Sequence, residues 1–166
     1  MNYIKIQKKI LNDAYARDTK LKKFSYRYGE TDEIIGITPD GHIMYFIPKE
    51  MLYINIEMIF KEIAPVKLNC FIDSQKDQKD VIMTNQIEII DNKVQVRLFK
   101  TAEDSKDIRI DEKLLKEFDI KNSTFKGING KSPLFIYEND YEGEHLVGVI
   151  LPVVKADGEN PMENKD

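Results

Sequence analysis

The chain has 166 residues, 42% apolar and 33% charged, with a formal net charge of −4. This length supports one domain that buries a sizeable core without covalent staples, and its lone Cys70 excludes an internal disulfide or a cysteine-only metal site within one chain. The apolar runs fall well short of the ~20 residues that span a bilayer. The start, M-N-Y-I-K-I-Q-K-K, lacks the apolar centre of a signal peptide, so the cytoplasm is the expected compartment and no membrane partner is expected.

Charge is unevenly spread. Residues 1–30 hold eight basic and three acidic side chains, and the other 136 residues hold 17 and 26. A basic segment on an acidic body suits a polyanion-facing surface or, more plainly, a solvated helix face. Tyr3, Ile6, Ile10, Leu11 and Ala14 recur at helical spacing, which predicts an amphipathic helix from Ile4 to about Asp18. Lys5, Lys8, Lys9 and Arg17 fall largely outside its apolar stripe, and Lys20, Lys22 and Lys23 follow. Phe24–Tyr28, Glu33–Ile37 and His42–Ile47 read as a three-stranded antiparallel meander, the last two joined by the turn Thr38-Pro39-Asp40-Gly41.

Pro48 suits a helix start, and Leu52, Ile56, Ile59, Phe60 and Ile63 predict a helix from Lys49 to about Ile63, stopped by Pro65. Met51, Tyr53 and Ile54 make that segment apolar nearly all round, so it is deeply buried or part strand. Val66–Ile72 reads as a strand and Asp73–Asp80 as a polar loop. Ile87–Ile90 and Val94–Phe99 flank Asp91-Asn92-Lys93 as a hairpin, and Thr101–Asp107 is a charged loop. Ile108 and Ile110 predict a short strand, and Asp111 caps a helix of about two turns carrying Leu114, Leu115 and Phe118. Asn122–Ser132 reads as loop.

A final hairpin spans Pro133–Val154, with apolar runs Leu134–Tyr137 and Leu146–Val154 around a polar turn, Asn139–Glu144. The second run has no polar face, so it should be covered on both sides, and Pro152 should stand at an edge or a strand end. The expected fold is α+β, with antiparallel sheets and helices on one face. Residues 1–154 form one domain of three loose helix-plus-strand units, about 1–47, 48–99 and 107–154, and 155–166 form a flexible tail.

No motif points to catalysis. Gly130-Lys131-Ser132 imitates the end of a phosphate-binding loop, but Phe125 stands where the first glycine belongs and a strand follows. His42 and His145 each lie beside a turn with no ligand-spaced partner. Gly36 and Gly148 are strand glycines of the kind found at bulges or close contacts. Tyr26, Tyr28, Tyr45, Phe46 and Tyr137 lie in strands, where packing explains them better than a base-stacking platform. No cofactor is expected.

The order of elements and the ending L-V-G-V-I-L-P-V-V resemble the bacterial DNA sliding clamp. Ile47-Pro48-Lys49-Glu50-Met51-Leu52 looks like a clamp strand running into its helix, and Ile108-Arg109-Ile110-Asp111 through Leu114-Leu115 repeats that transition. The resemblance implies β-α-β-β-β units and a non-enzymatic module whose basic helix faces the phosphates of duplex DNA without sequence preference. The DNA-binding residues would be Lys5, Lys8, Lys9, Arg17, Lys20, Lys22 and Lys23, with Lys113 and Lys116 secondary. Ring closure would require a homo-oligomer, and replication or other proteins would be further partners. Gln95-Val96-Arg97-Leu98-Phe99 is also similar to the short peptides that bind such clamps. The competing reading is a protein-interaction adaptor of the same fold with no nucleic acid affinity, which the acidic net charge favours.

Overall fold

Helical spacing of apolar residues in the first segment and turn-bounded strand patterns after it produce the helix and meander that they predict. A computed structural model describes residues 2–15, 25–28, 33–37, 41–59, 61–62, 76–91, 93–101 and 107–154. Helix α1 (Tyr3–Tyr15) begins where the Asn2 side chain accepts from the Lys5 amide at 2.9 Å, satisfying one of the amides that a first turn leaves unpaired. Its Ile6 and Ile10 are buried in the core. Strands β1 (Ser25–Tyr28), β2 (Glu33–Ile37) and β3 (Ile43–Pro48) form the antiparallel meander. Gly41, with φ of 71°, takes the left-handed conformation that the expected turn requires.

The helix expected over Lys49–Ile63 does not form. A single 3-10 turn at Lys49–Met51 gives way to extended backbone at Leu52. A one-turn helix, α2 (Ile56–Ile59), follows, with Asn55 Oδ1 accepting from the Met58 amide, and then β4 (Lys61–Glu62) pairs parallel with β1. Leu52 and Ile54 pack against the core while Tyr53 points outward, which is the two-residue period of extended chain. Gln7 explains why the backbone is not helical there. Its buried amide donates to Met51 O at 2.9 Å and accepts from Tyr53 N at 2.7 Å, taking two groups that a helical ladder would have used.

Strands β6 (Ile82–Ile90) and β7 (Val94–Lys100) make the expected hairpin, and β8 (Ile108–Asp111) completes a separate three-stranded sheet in the order β6-β7-β8. Lys79–Asp80 is a short strand, β5, within the expected polar loop. The strand expected at Val66–Ile72, Cys70 and the tail from 155 lie outside the described residues, as does most of the charged loop at 101–107.

Helix α3 (Glu112–Leu115) is capped as expected by Asp111, which accepts from Lys113 N at 2.8 Å. It is one helical turn, extended as a bonded turn by Phe118 N donating to Leu115 O. The loop expected over Asn122–Ser132 contains a strand, β9 (Ser123–Gly127). Phe125 is buried on one face, while Lys126 and Thr124 engage Glu144 on the other, so a polar strand face had the composition of a loop.

The last hairpin joins β10 (Leu134–Asp140) to β11 (Gly143–Ile150) through two residues, Tyr141-Glu142, a tighter turn than the expected Asn139–Glu144, with Gly143 at φ of 122°. As expected, β11 is covered on both faces. Val147 and Ile150 enter the main core, and Val149 joins Met44, Phe135 and Tyr137 in a second cluster. Pro152 follows the end of the strand, where Leu151 N and Val153 N donate to His42 O and Arg109 O.

The fold is therefore α+β, dominated by strands in antiparallel sheets. The larger sheet has eight strands in the order β4-β1-β2-β3-β11-β10-β9-β5. That order is symmetric about the β3·β11 seam. A helix-plus-meander unit (α1, β1–β3) meets a second one (α3, β9–β11) through their last strands, paired antiparallel. Ile6 and Ile10 of α1 and Leu115 and Phe118 of the α3 segment share one core with Tyr45 and Ile136, which puts both helices on one face of this sheet. Among its described residues the middle unit expected at about 48–99 has no such helix, and it contributes β6 and β7 to the smaller sheet.

Candidate nucleic-acid interface

The helical face positions the basic residues. Ile6 and Ile10 anchor α1 to the sheet, and this anchoring turns Lys5 and Lys8 to solvent, where both are exposed. Lys9, one position further round, is held by the protein itself: its Nζ lies 2.8 Å from Glu117 Oε1, joining α1 to the turn after α3. Lys113 and Lys116, the secondary candidates, are exposed on the α3 segment. Arg17, Lys20, Lys22 and Lys23 lie outside the described residues.

A cleft of about 580 Å³ separates the start of α1 from the α3 segment. Tyr3, Ile4 and Lys5 form one wall, Lys116, Glu117 and Asp119 the other, and Tyr53 stands at its edge. The structure thus brings Lys5 and Lys116, from the two repeated units, to opposite sides of one groove. The acidic residues in that wall are engaged: Glu117 by Lys9, and Asp119 by Asn122, whose Nδ2 donates to its Oδ2 at 2.7 Å. Tyr3 is half-buried. Burial first, then the carboxylates of Glu138, Asp140 and Glu50, push its hydroxyl up to about 12, so at neutral pH the cleft presents a neutral phenol and not a base.

The remaining polar motifs have structural roles. Ser132 Oγ accepts from Ile128 N and Asn129 N at 2.9 and 3.0 Å and donates to Asn129 O at 2.8 Å, so Gly130-Lys131-Ser132 is a clipped turn before β10. His42 is exposed, and His145 Nδ1 lies 3.3 Å from Asp140 Oδ2 in the last hairpin. Among the described residues no group of three His, Cys, Asp or Glu side chains could hold a metal ion. Leu98 and Phe99 are buried in β7, so Gln95–Phe99 is not offered as an exposed peptide. Tyr26, Tyr45 and Tyr137 are buried, as the packing reading expects.

Two polar arrangements escape sequence reasoning. Gln7 sits within the apolar stripe of α1, and no local pattern in the sequence places Met51 and Tyr53 against it. Arg97 forms a bidentate pair with Glu112, Nε to Oε2 at 2.9 Å and Nη2 to Oε1 at 2.8 Å, and also donates to Thr84 O. Alternation places Arg97 on the face shared by Phe99 but does not identify its partner.

No helix among the described residues is long and apolar enough to cross a membrane. No family model, curated protein or solved structure matches the chain.

Proposed function

We propose that the protein is a non-enzymatic, clamp-like module that meets the phosphate backbone of duplex nucleic acid with its helical face. One observation supports this reading above the others: Lys5 and Lys116, from two repeated helix-plus-meander units, flank a single cleft, and Glu117, one of the two acids in its wall, is paired with Lys9. Lys8 extends the same basic face along α1. Such contacts are electrostatic and independent of base sequence. Each lysine that neutralises a phosphate steepens the fall of affinity with salt by about one unit on logarithmic axes.

The test is retention of a duplex oligonucleotide across a salt series. K5E, K8E and K116E together should abolish retention, and K5E alone should flatten the salt slope by about one unit. K93E, in the remote β6–β7 turn, should leave both unchanged. Retention that survives the triple change overturns the proposal. The acidic net charge supports a second reading, an adaptor of the same fold that binds a protein partner. It requires a chain indifferent to duplex DNA at low salt.

A further inference from the structure

We propose that β6 is a self-association edge, through which two copies of the chain pair antiparallel about a two-fold axis at Glu88. The inference rests on the smaller sheet and stands whether or not the helical face binds nucleic acid.

β6 is the outer strand of the order β6-β7-β8, and among the described residues it pairs with β7 alone. Natural sheets blunt such edges with short strands, lysine, proline, bulges or a covering segment. β6 is nine residues long and contains no lysine, arginine or proline. Its register shift between Met83 and Ile87 breaks the first half of the strand and leaves Ile87–Ile90 in regular register with Val94–Arg97. In that regular half, Ile87 is 48% and Ile89 64% exposed. Both lie on the face that carries Arg97 and Gln95, and both are large apolar groups where an edge strand would ordinarily place charge.

The sequence itself selects the partner. Ile87-Glu88-Ile89 reads the same in both directions, so an antiparallel copy centred on Glu88 sets Ile87 of one chain against Ile89 of the other, twice. Directly opposed β-branched side chains are favourable cross-strand pairs, and the two-fold gathers four isoleucines into one cluster. The only charge on the strand, Glu88, would meet its own copy across the axis. Arg109 already neutralises it, with Nε 3.0 Å from Glu88 Oε2, so two ion pairs would face each other and not two bare carboxylates. A foreign peptide would meet no such symmetry. The strand satisfies its own requirements best with itself.

Sedimentation velocity of the full chain over a concentration series tests this. Dimer should grow with concentration, and I87K or I89K should return the chain to monomer, with the thermal melt unchanged at dilutions where both chains are monomeric, because both side chains are exposed. R109A should weaken the dimer by removing one counter-charge from each of the two opposed carboxylates. In a C70S background, I87C mixed with I89C should form disulfide-linked pairs faster than either variant alone, since only the mixed pair is directly opposed. A monomer at every concentration, a dimer indifferent to both lysines, or cross-linking no faster in the mixture would each overturn the proposal.

Discussion

The Phe118 ring comes so close to Gly148 of β11 that the glycine has no room for a side chain: a Cβ there would run into the edge of the ring. The ring also packs beside Tyr45, with centroids 5.8 Å apart, so the glycine lets the α3 segment settle on the sheet at its central seam. Gly148→Ala should destabilise by about 1–3 kcal/mol, the usual cost of overpacking a filled core. Phe118→Leu added to it should recover part of that loss in urea unfolding, although Phe118→Leu alone is destabilising. Losses that merely add would show that the ring is not what the alanine meets.

Gln7 holds the segment after β3 by its backbone, so the effect of replacing it should be local. Gln7→Leu keeps the volume but leaves Met51 O and Tyr53 N without their partner, at a cost of about 1–3 kcal/mol. Hydrogen exchange at the Tyr53 amide should accelerate, while exchange in β3 should quicken only as far as global stability falls.

The Arg97–Glu112 pair links β7 to the first residue of α3, and both side chains are largely buried. Arg97→Met should cost about 3 kcal/mol, because it strands a carboxylate away from water, whereas Arg97→Met with Glu112→Leu should recover most of it. The hydrogen bond from Arg97 holds the Glu112 carboxyl below its ordinary 4.5. Its contribution to stability is therefore complete above pH 4.5 and declines as pH falls through the depressed value. The double variant should lack that part of the acid slope in denaturant midpoints measured between neutral pH and acid.

Tyr3 makes the opposite prediction at the alkaline end. Its hydroxyl ionises near 12 in the fold against an ordinary 10.0, so stability is unaffected below 10.0 and falls as pH rises toward 12. Tyr3→Phe should remove that component, and phenolate absorbance should show one tyrosine fewer among those titrating late.

Much of this fold is legible in sequence where a side-chain period and a turn agree. The β1–β3 meander, the β6–β7 hairpin and the doubly covered β11 are of this kind. Segment 49–63 misleads because its apolar residues fit a helical stripe as well as an extended thread, and a buried amide 46 positions away from Tyr53 decides between them. Strand β9 is hidden for a different reason. Ser123, Thr124 and Lys126 are turn and loop residues by type, and only the partner strand β10 and Glu144 make them a sheet face. At the cleft, the exposure of Lys5 and Lys8 follows from the stripe beside them. That Lys9 is bound to Glu117 does not, since their separation of 108 positions leaves no local trace.

The symmetric order of the large sheet has a consequence for how the chain comes together. Its central seam, Tyr45 with Gly148 and Ile43 with Ile150, joins positions about a hundred residues apart, while the meanders on either side close locally. During synthesis the first meander can form early, yet the outer side of β3 has no partner until β11 has been made. For that interval β3 is an apolar strand with an open ladder, carrying Ile43, Met44 and Tyr45. Changes that slow completion of the second unit should therefore surface as insoluble product more than as a lowered melting temperature.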